Sequence, residues 1–301
     1  MPASENTVLV VGATGLLGRT LCEVDVPGVC CIPAARTPGG LPGCRPLDIT
    51  LPDQVDALIE AVQPRWVVNT AAVTHVDQCE GDPELAYRVH VAGTRNLVRA
   101  CEKTGSGLIT LSTNYVFDGT RGCYGETDAP RPLNAYGRTK LESEAYVLNA
   151  RCPGVVVRTA VLYGYQPECR PNFVTWAAGA LASGKTIRVV TDERANPTDV
   201  TELAVFLLRL CQKDFQGVVH FGGRDFLSRY DMVSRLCACL SLDFDRVIPV
   251  LSAELGQKAR RPLQAGLKTD RAQSLCGLSL APFDHNLKQL FAAIDDLALF
   301  S

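Results

Sequence analysis

The feature that most limits what this chain can fold into is the run Thr7-Val8-Leu9-Val10-Val11-Gly12-Ala13-Thr14-Gly15-Leu16-Leu17-Gly18-Arg19, where an uncharged β-branched stretch breaks into glycines and then turns helical. Such a stretch suits a central strand of a parallel sheet, covered on both faces. The glycines follow at G-x-x-G-x-x-G spacing, and each has a physical task. Gly12 permits a tight exit from the strand, Gly15 lets backbone N–H groups approach a pyrophosphate, and Gly18 lets the helix pack against the sheet. A plain glycine-rich turn has the same letters. The position directly after a clean strand favours a dinucleotide site at a helix N-terminus, to which Thr14, Leu16 and Leu17 also belong.

Length and charge narrow the class further. The 301 residues accommodate one large α/β domain with an appended lobe, and a formal net charge of -2 gives no general attraction for nucleic acid or an acidic membrane. Hydrophobic residues at 47% assure a sizeable core. The stretch Met1–Asn6 has no basic, apolar leader pattern, and no window reaches 18 uninterrupted apolar residues, so the protein is expected to be cytoplasmic. The 13 cysteines are odd in number and contain no C-x-x-C pair, which argues against a zinc site. Cys30-Cys31 in a predicted strand and Cys237 and Cys239 in a predicted helix read as buried, reduced thiols.

Along the chain, Val29–Ala35 is expected to be a second strand, ending at Arg36 before a turn-rich segment. An acidic residue at such a strand end bonds the 2′-hydroxyl of NAD, whereas an arginine accommodates the 2′-phosphate of NADP. Here the acid is missing and Arg36 is present, so NADP(H) is expected over NAD(H). Asp48 and Ile49 follow, Asp48 serving as a turn residue or an adenine contact. Thr50 is expected to cap the helix Leu51–Val62, with Pro52 in its first turn. The strand Trp66–Asn69 runs into Thr70-Ala71-Ala72, small enough for close approach of a flat ligand, with Thr74 just beyond. Pro83–Lys103 has a long helical pattern. The strand Gly107–Leu111 delivers Ser112-Thr113-Asn114-Tyr115 to its carboxyl end, where open α/β sheets bind ligands. Tyr136 and Lys140, four apart, share a face if the segment is helical. Further strands are expected at Val155–Arg158, Ile187–Val190 and Val218–Phe221, and helices at Phe173–Ser183, Asp199–Leu210 and Tyr230–Leu240. The fold class is therefore α/β, a Rossmann-type doubly wound parallel sheet. Residues 1–160 form the cofactor domain, 199–222 return to it, and 161–198 with 223–301 make a smaller substrate lobe.

Gly12-x-x-Gly15-x-x-Gly18, Thr113 and Tyr136-x-x-x-Lys140 together resemble the extended short-chain dehydrogenase/reductase family. Ser112-Thr113-Asn114-Tyr115-Val116-Phe117-Asp118-Gly119 and Tyr136-Gly137-Arg138-Thr139-Lys140-Leu141-Glu142 are similar to the signatures of dTDP-4-dehydrorhamnose reductases. Arg158–Gly164, Asn196-Pro197-Thr198, Gly217–Gly223 and Arg261-Pro262 agree. The resemblance implies a sugar-nucleotide reductase in which Tyr136 donates a proton to a carbonyl, Thr113 bonds the same oxygen, and Lys140 supports the phenolate and the nicotinamide ribose. Sugar contacts are implied at Thr113, Asn114, Tyr115 and Val161. Two positions depart from the family: Asn114 stands where Asp is usual, and Val161 where many members carry Trp, so the particular sugar stays open. Some relatives bind magnesium, but Thr20 occupies the position of their Glu, and no metal ligand is assigned. The resemblance also leaves room for a non-catalytic partner of another enzyme, like the regulatory β subunit of methionine adenosyltransferase, for an epimerase or dehydratase, and for a homodimer. A redox-sensing regulator of the NmrA-like kind fits less well, because Tyr136 and Lys140 are both present.

Overall fold

The computed structural model describes residues 6–292 and 294. Seven parallel strands make the main sheet: β1 (Thr7–Val11), β2 (Cys30–Ala35), β3 (Arg45–Pro46), β4 (Trp66–Asn69), β5 (Gly107–Thr113), β6 (Gly154–Thr159) and β7 (Gly217–Phe221). Their order is β7-β6-β5-β4-β1-β2-β3. This is the Rossmann-type doubly wound sheet expected from the sequence. The order reverses between β1 and β4, and the crevice at that reversal is where the glycine loop emerges.

Helices α1 (Leu16–Glu23), α2 (Pro52–Val62), α3 (Gly93–Thr104), α4 (Ala135–Leu148) and α5 (Val200–Leu210) cover the sheet. One core layer packs Val8, Val10, Leu21, Leu203 and Phe206 between the sheet and α1 and α5. The opposite layer packs Leu9, Val11, Ile59, Leu97 and Val156 against α2 to α4. A separate cluster, including Ala177, Met232, Leu236 and Leu287, joins the helices Phe173–Ala182, Arg229–Leu240 and Phe283–Ala292 above the carboxyl edge.

Several local expectations are corrected. Thr50 does not cap α2: its N–H and hydroxyl both donate to the Asp48 carboxylate at 2.9 and 2.7 Å, and Leu51 holds the cap position without a side-chain bond. Helix α4 starts at Ala135, because Asn134 accepts from the Gly137 N–H at 2.8 Å. Tyr136 and Lys140 therefore both lie inside it. The Pro83–Lys103 pattern contains one π turn, Arg88–Ala92, whose wider coil carries His90. The short edge strand β3 is too brief to leave a periodic signal. All 13 cysteines are free, but Cys30 is exposed and Cys31 and Cys239 are only partly buried, while Cys237 is buried as expected. Cys30 begins β2 next to the outermost strand, where little covers the strand's first residue.

Among the described residues no helix is long and apolar enough to cross a membrane. Among them, too, no group of three or more His, Cys, Asp or Glu side chains is placed to hold a metal ion. The Thr20 hydroxyl donates to the Leu16 carbonyl of its own helix at 2.9 Å.

Candidate active site

The glycine loop is tight where the sequence requires it. Gly12 has φ +83°, and a Cβ there would lie 2.7 Å from both the Ala71 nitrogen and the Thr70 Oγ1. The Thr70 hydroxyl in turn donates to the Val11 carbonyl at 2.8 Å, joining the ends of β1 and β4. Gly18 is constrained differently from the sequence reading: a Cβ there would collide with the Gly12 carbonyl, so the helix closes on the loop itself rather than on the sheet. A Cβ on Gly15 would meet only the Gly12 carbonyl, at 3.4 Å, which leaves its outer side open. The loop, with Thr14, Leu16 and Leu17, thus leaves N–H groups at the start of α1 accessible to an anion.

Around this loop the expected cofactor residues separate into free and engaged groups. Arg36 is exposed just past the end of β2. Asp48 Oδ1 accepts from the Thr50 N–H and hydroxyl, which is its turn role. Ile49 is buried against Gly93, and its carbonyl accepts from Asn96 at 2.9 Å. The Ala71 N–H donates to Asn69, and Ala72 stands half-buried beside it. Thr74 accepts from Arg170 at 2.6 Å. That last bond belongs to a strap. Gln166 donates to Glu23 at 2.6 Å, Glu168 pairs with Arg19, and the Cys169 thiol donates to the Thr14 carbonyl at 3.5 Å. Residues 166–170 therefore cross from α1 over the loop to Thr74.

At the carboxyl end of β5 the Thr113 hydroxyl lies close enough to the Tyr136 phenol to act on it. Burial pushes the phenol well above the usual tyrosine range, with Thr113 opposing. Tyr136 thus holds its proton firmly. Edge-on rings of His90 and Tyr115, at 5.6 and 6.0 Å, fix its position. His90 accepts from the Val73 N–H at 3.0 Å and contacts Thr139 at 2.9 Å. Burial, reinforced by Lys140, lowers its pKa to about 3, so it is a neutral brace.

Lys140 is buried, and its ammonium donates to the Leu111 carbonyl at 2.7 Å. Burial lowers its pKa to about 8, with the Glu144 carboxylate opposing. Glu144 is held by the Ser112 hydroxyl and by Arg158, at 2.9 Å to Oε1 and 2.6 Å to Oε2.

Asn114 lines the pocket beside Tyr136 but spends its side chain on structure, donating to the Ala265 carbonyl at 2.9 Å and accepting from Thr113 at 3.3 Å. Tyr115 and Val161 line the same pocket. Val161 has φ +46°, the left-handed region that a β-branched residue rarely enters. Its carbonyl is fixed there by the Thr198 N–H at 3.0 Å. The far wall brings Glu193, Arg194, Ala195 and Arg229, which the sequence did not single out, to Pro262, which belongs to the resemblance. Arg261 pairs with Asp77 at 3.1 Å beside Tyr115. The D-E-R letters before Asn196-Pro197-Thr198 were the available signal, but nothing local shows which way they face. A larger hollow of about 710 Å³, lined by Arg95, Arg99 and Tyr146 among others, lies across α2 to α4 and contains none of these groups.

Comparison with known proteins gives the same outline. Residues 6–295 match the family described as RmlD substrate binding domain. The chain belongs to that family. It is 30% identical over 294 residues to the probable low-salt glycan biosynthesis reductase Agl14 of Haloferax volcanii, covering 95% of this chain and 98% of that protein. It is 32% identical over 294 residues to methionine adenosyltransferase 2 subunit beta of Danio rerio, covering 93% and 88%. Among solved structures, dTDP-4-dehydrorhamnose reductase of Bacillus anthracis in complex with NADP superposes with a TM-score of 0.87 at 29% identity, covering 95% of this chain and 99% of that one.

Proposed function

We infer that the protein is an NADP(H)-dependent reductase of a carbonyl on a nucleotide-linked keto-deoxysugar. The observation that carries this reading is the buried Tyr136 phenol at the carboxyl edge of the sheet, braced by two edge-on rings and placed near Thr113. The glycine loop fits a dinucleotide, since Gly12 and Gly18 pack too tightly for a Cβ while the outer side of Gly15 is open. Gly12, Thr14, Gly15, Leu16, Leu17 and Gly18 would hold the pyrophosphate, Arg36 a 2′-phosphate, Asp48, Ile49, Ala71 and Ala72 the adenosine side, and Thr74 the far side of the cleft. When bound, the nicotinamide supplies hydride to the carbonyl carbon.

The chain's own residues do the rest. Tyr136 delivers its proton to the carbonyl oxygen while the Thr113 hydroxyl donates a hydrogen bond to the same atom. The resulting phenolate is costly in a buried site unless positive charge stands nearby. Lys140, one turn along α4, carries that charge, tied to the Leu111 carbonyl. Residues 1–160 and 199–222 would then form the cofactor half, and 161–198 with 223–301 the substrate lobe. A second reading is favoured by the similarity to the methionine adenosyltransferase subunit: a non-catalytic, NADP-binding regulatory subunit of a partner enzyme.

Tyr136→Phe separates the two. It removes one hydroxyl and keeps the ring, so turnover of a nucleotide 4-keto sugar should fall about 10²–10⁴-fold with NADPH affinity nearly unchanged. Undiminished turnover would remove the proposed mechanism. Absence of turnover in the unmodified protein, with a partner retained by both forms, would favour the regulatory reading.

A further inference from the structure

Three residues that line the pocket beside Tyr136 have a buried polar atom without a partner, and one of them, Arg194, is turned to the Phe226 carbonyl and ring. Glu193 Oε1 and Arg229 Nη1 are both shut off from solvent, and neither has a hydrogen-bond partner. Both residues line the same pocket, together with Tyr115 and Val161. The Arg229 charge pulls against the burial of Glu193, yet no bond joins the two atoms. Buried polar groups in folded proteins are almost always paired, so orphans gathered around one recess require an explanation.

Their placement is held rather than accidental. The Arg229 N–H donates to the Glu193 carbonyl at 3.2 Å, and the Arg229 guanidinium lies over the Phe173 ring at 4.7 Å. Ser228 and Asp231 close the capping box at the start of that helix. Both side chains act on the Tyr115 phenol, which stands edge-on to Tyr136. The recess is therefore next to the reacting position.

A carboxylate oxygen only accepts and a guanidinium N–H only donates. A group that satisfies both must donate and accept at once, as a hydroxyl does. A phosphate would face the Glu193 carboxylate, and an apolar substituent would leave both atoms unpaired. We propose that Glu193 and Arg229 read a hydroxyl of the sugar ring, the carboxylate accepting from it and the guanidinium donating to it, while the ring's carbonyl is presented to Tyr136. The pair would select hydroxylated rings over deoxy analogues at that position. This rests on the reductase reading only for the orientation of the carbonyl.

The test uses the full chain with NADP present and dTDP-glucose or UDP-glucose as non-reducible probes, each compared with the free nucleoside diphosphate by calorimetry. The unmodified protein should bind the sugar-bearing form of one pair more tightly. Glu193→Ala and Arg229→Met should each weaken that form about 10- to 100-fold and leave the free diphosphate within about 2-fold. Because the two side chains share one ligand group, the double variant should be little worse than either single one. Unchanged NADP affinity and melting temperature verify folding, and Glu193→Gln provides a milder change if Ala does not fold. Equal affinity of the unmodified protein for sugar and free diphosphate, or variants that lose both equally, would overturn the assignment. If the sugar preference is present and lost in the variants while no keto sugar is reduced, the reductase reading fails and the hydroxyl site stands.

Discussion

Replacing Glu144 with Gln should move the alkaline limb of the reductase rate profile to lower pH. Lys140 is buried and its pKa is lowered by burial to about 8, with Glu144 as the carboxylate that opposes the loss of its proton. Residues four apart on a helix stand about 6 Å from one another, and unit charges at that separation interact by about 3 kcal/mol at an effective dielectric of about 20. Arg158 binds the same carboxylate through both oxygens and takes up part of its field. Roughly half the interaction, about 1.4 kcal/mol, is left for Lys140, which equals one pKa unit. The sign follows directly. The ammonium is the form that supports a phenolate, and removing the carboxylate makes that form harder to keep. Activity that falls as pH rises through about 8 in the native protein should therefore fall about one pH unit lower in Glu144→Gln. NADPH oxidation at saturating keto sugar, followed across about pH 6–9, reads the limb directly. The substitution also leaves Arg158 with an imperfect buried partner, a loss of about 3–5 kcal/mol, so the assay temperature must lie below the lowered melting point. An unmoved limb in folded Glu144→Gln would refute the reasoning.

Three other outcomes are expected. Arg36→Asp should reverse a preference for NADPH over NADH, since a charge-assisted bond to a 2′-phosphate contributes about 1.5–3 kcal/mol; tighter NADH binding by the native protein in a fluorescence titration would remove that role. Arg170→Ala cuts the strap from Thr74 and should speed NADP dissociation about 5-fold, the equivalent of one ordinary hydrogen bond, in stopped flow; an unchanged rate would mean the strap does not retain the cofactor. Val161→Gly should change the melting temperature by less than about 2 °C, because relief of about 1–2 kcal/mol of left-handed strain offsets the lost side-chain contacts. A much larger drop would show that the Val161 conformation costs little.

The sequence by itself determined the parts of this protein that depend on local period and local sterics. The run into Gly12, the strand that ends at Thr113, and the four-residue spacing of Tyr136 and Lys140 are visible because strand, turn and helix leave their patterns within a few residues. Tertiary structure decided what each side chain does once there. Asn114 reaches Ala265, 151 residues away, and so is anchored at the edge of the pocket it lines. Lys140 turns to the Leu111 carbonyl, Thr198 holds Val161 in a left-handed conformation, and Glu193 meets Arg229 across a recess. None of these leaves a periodic signal. They follow from the need to satisfy particular buried N–H, C=O and charged groups once distant segments close on one another, and the partner that meets that need is chosen by three-dimensional packing rather than by neighbours in the chain.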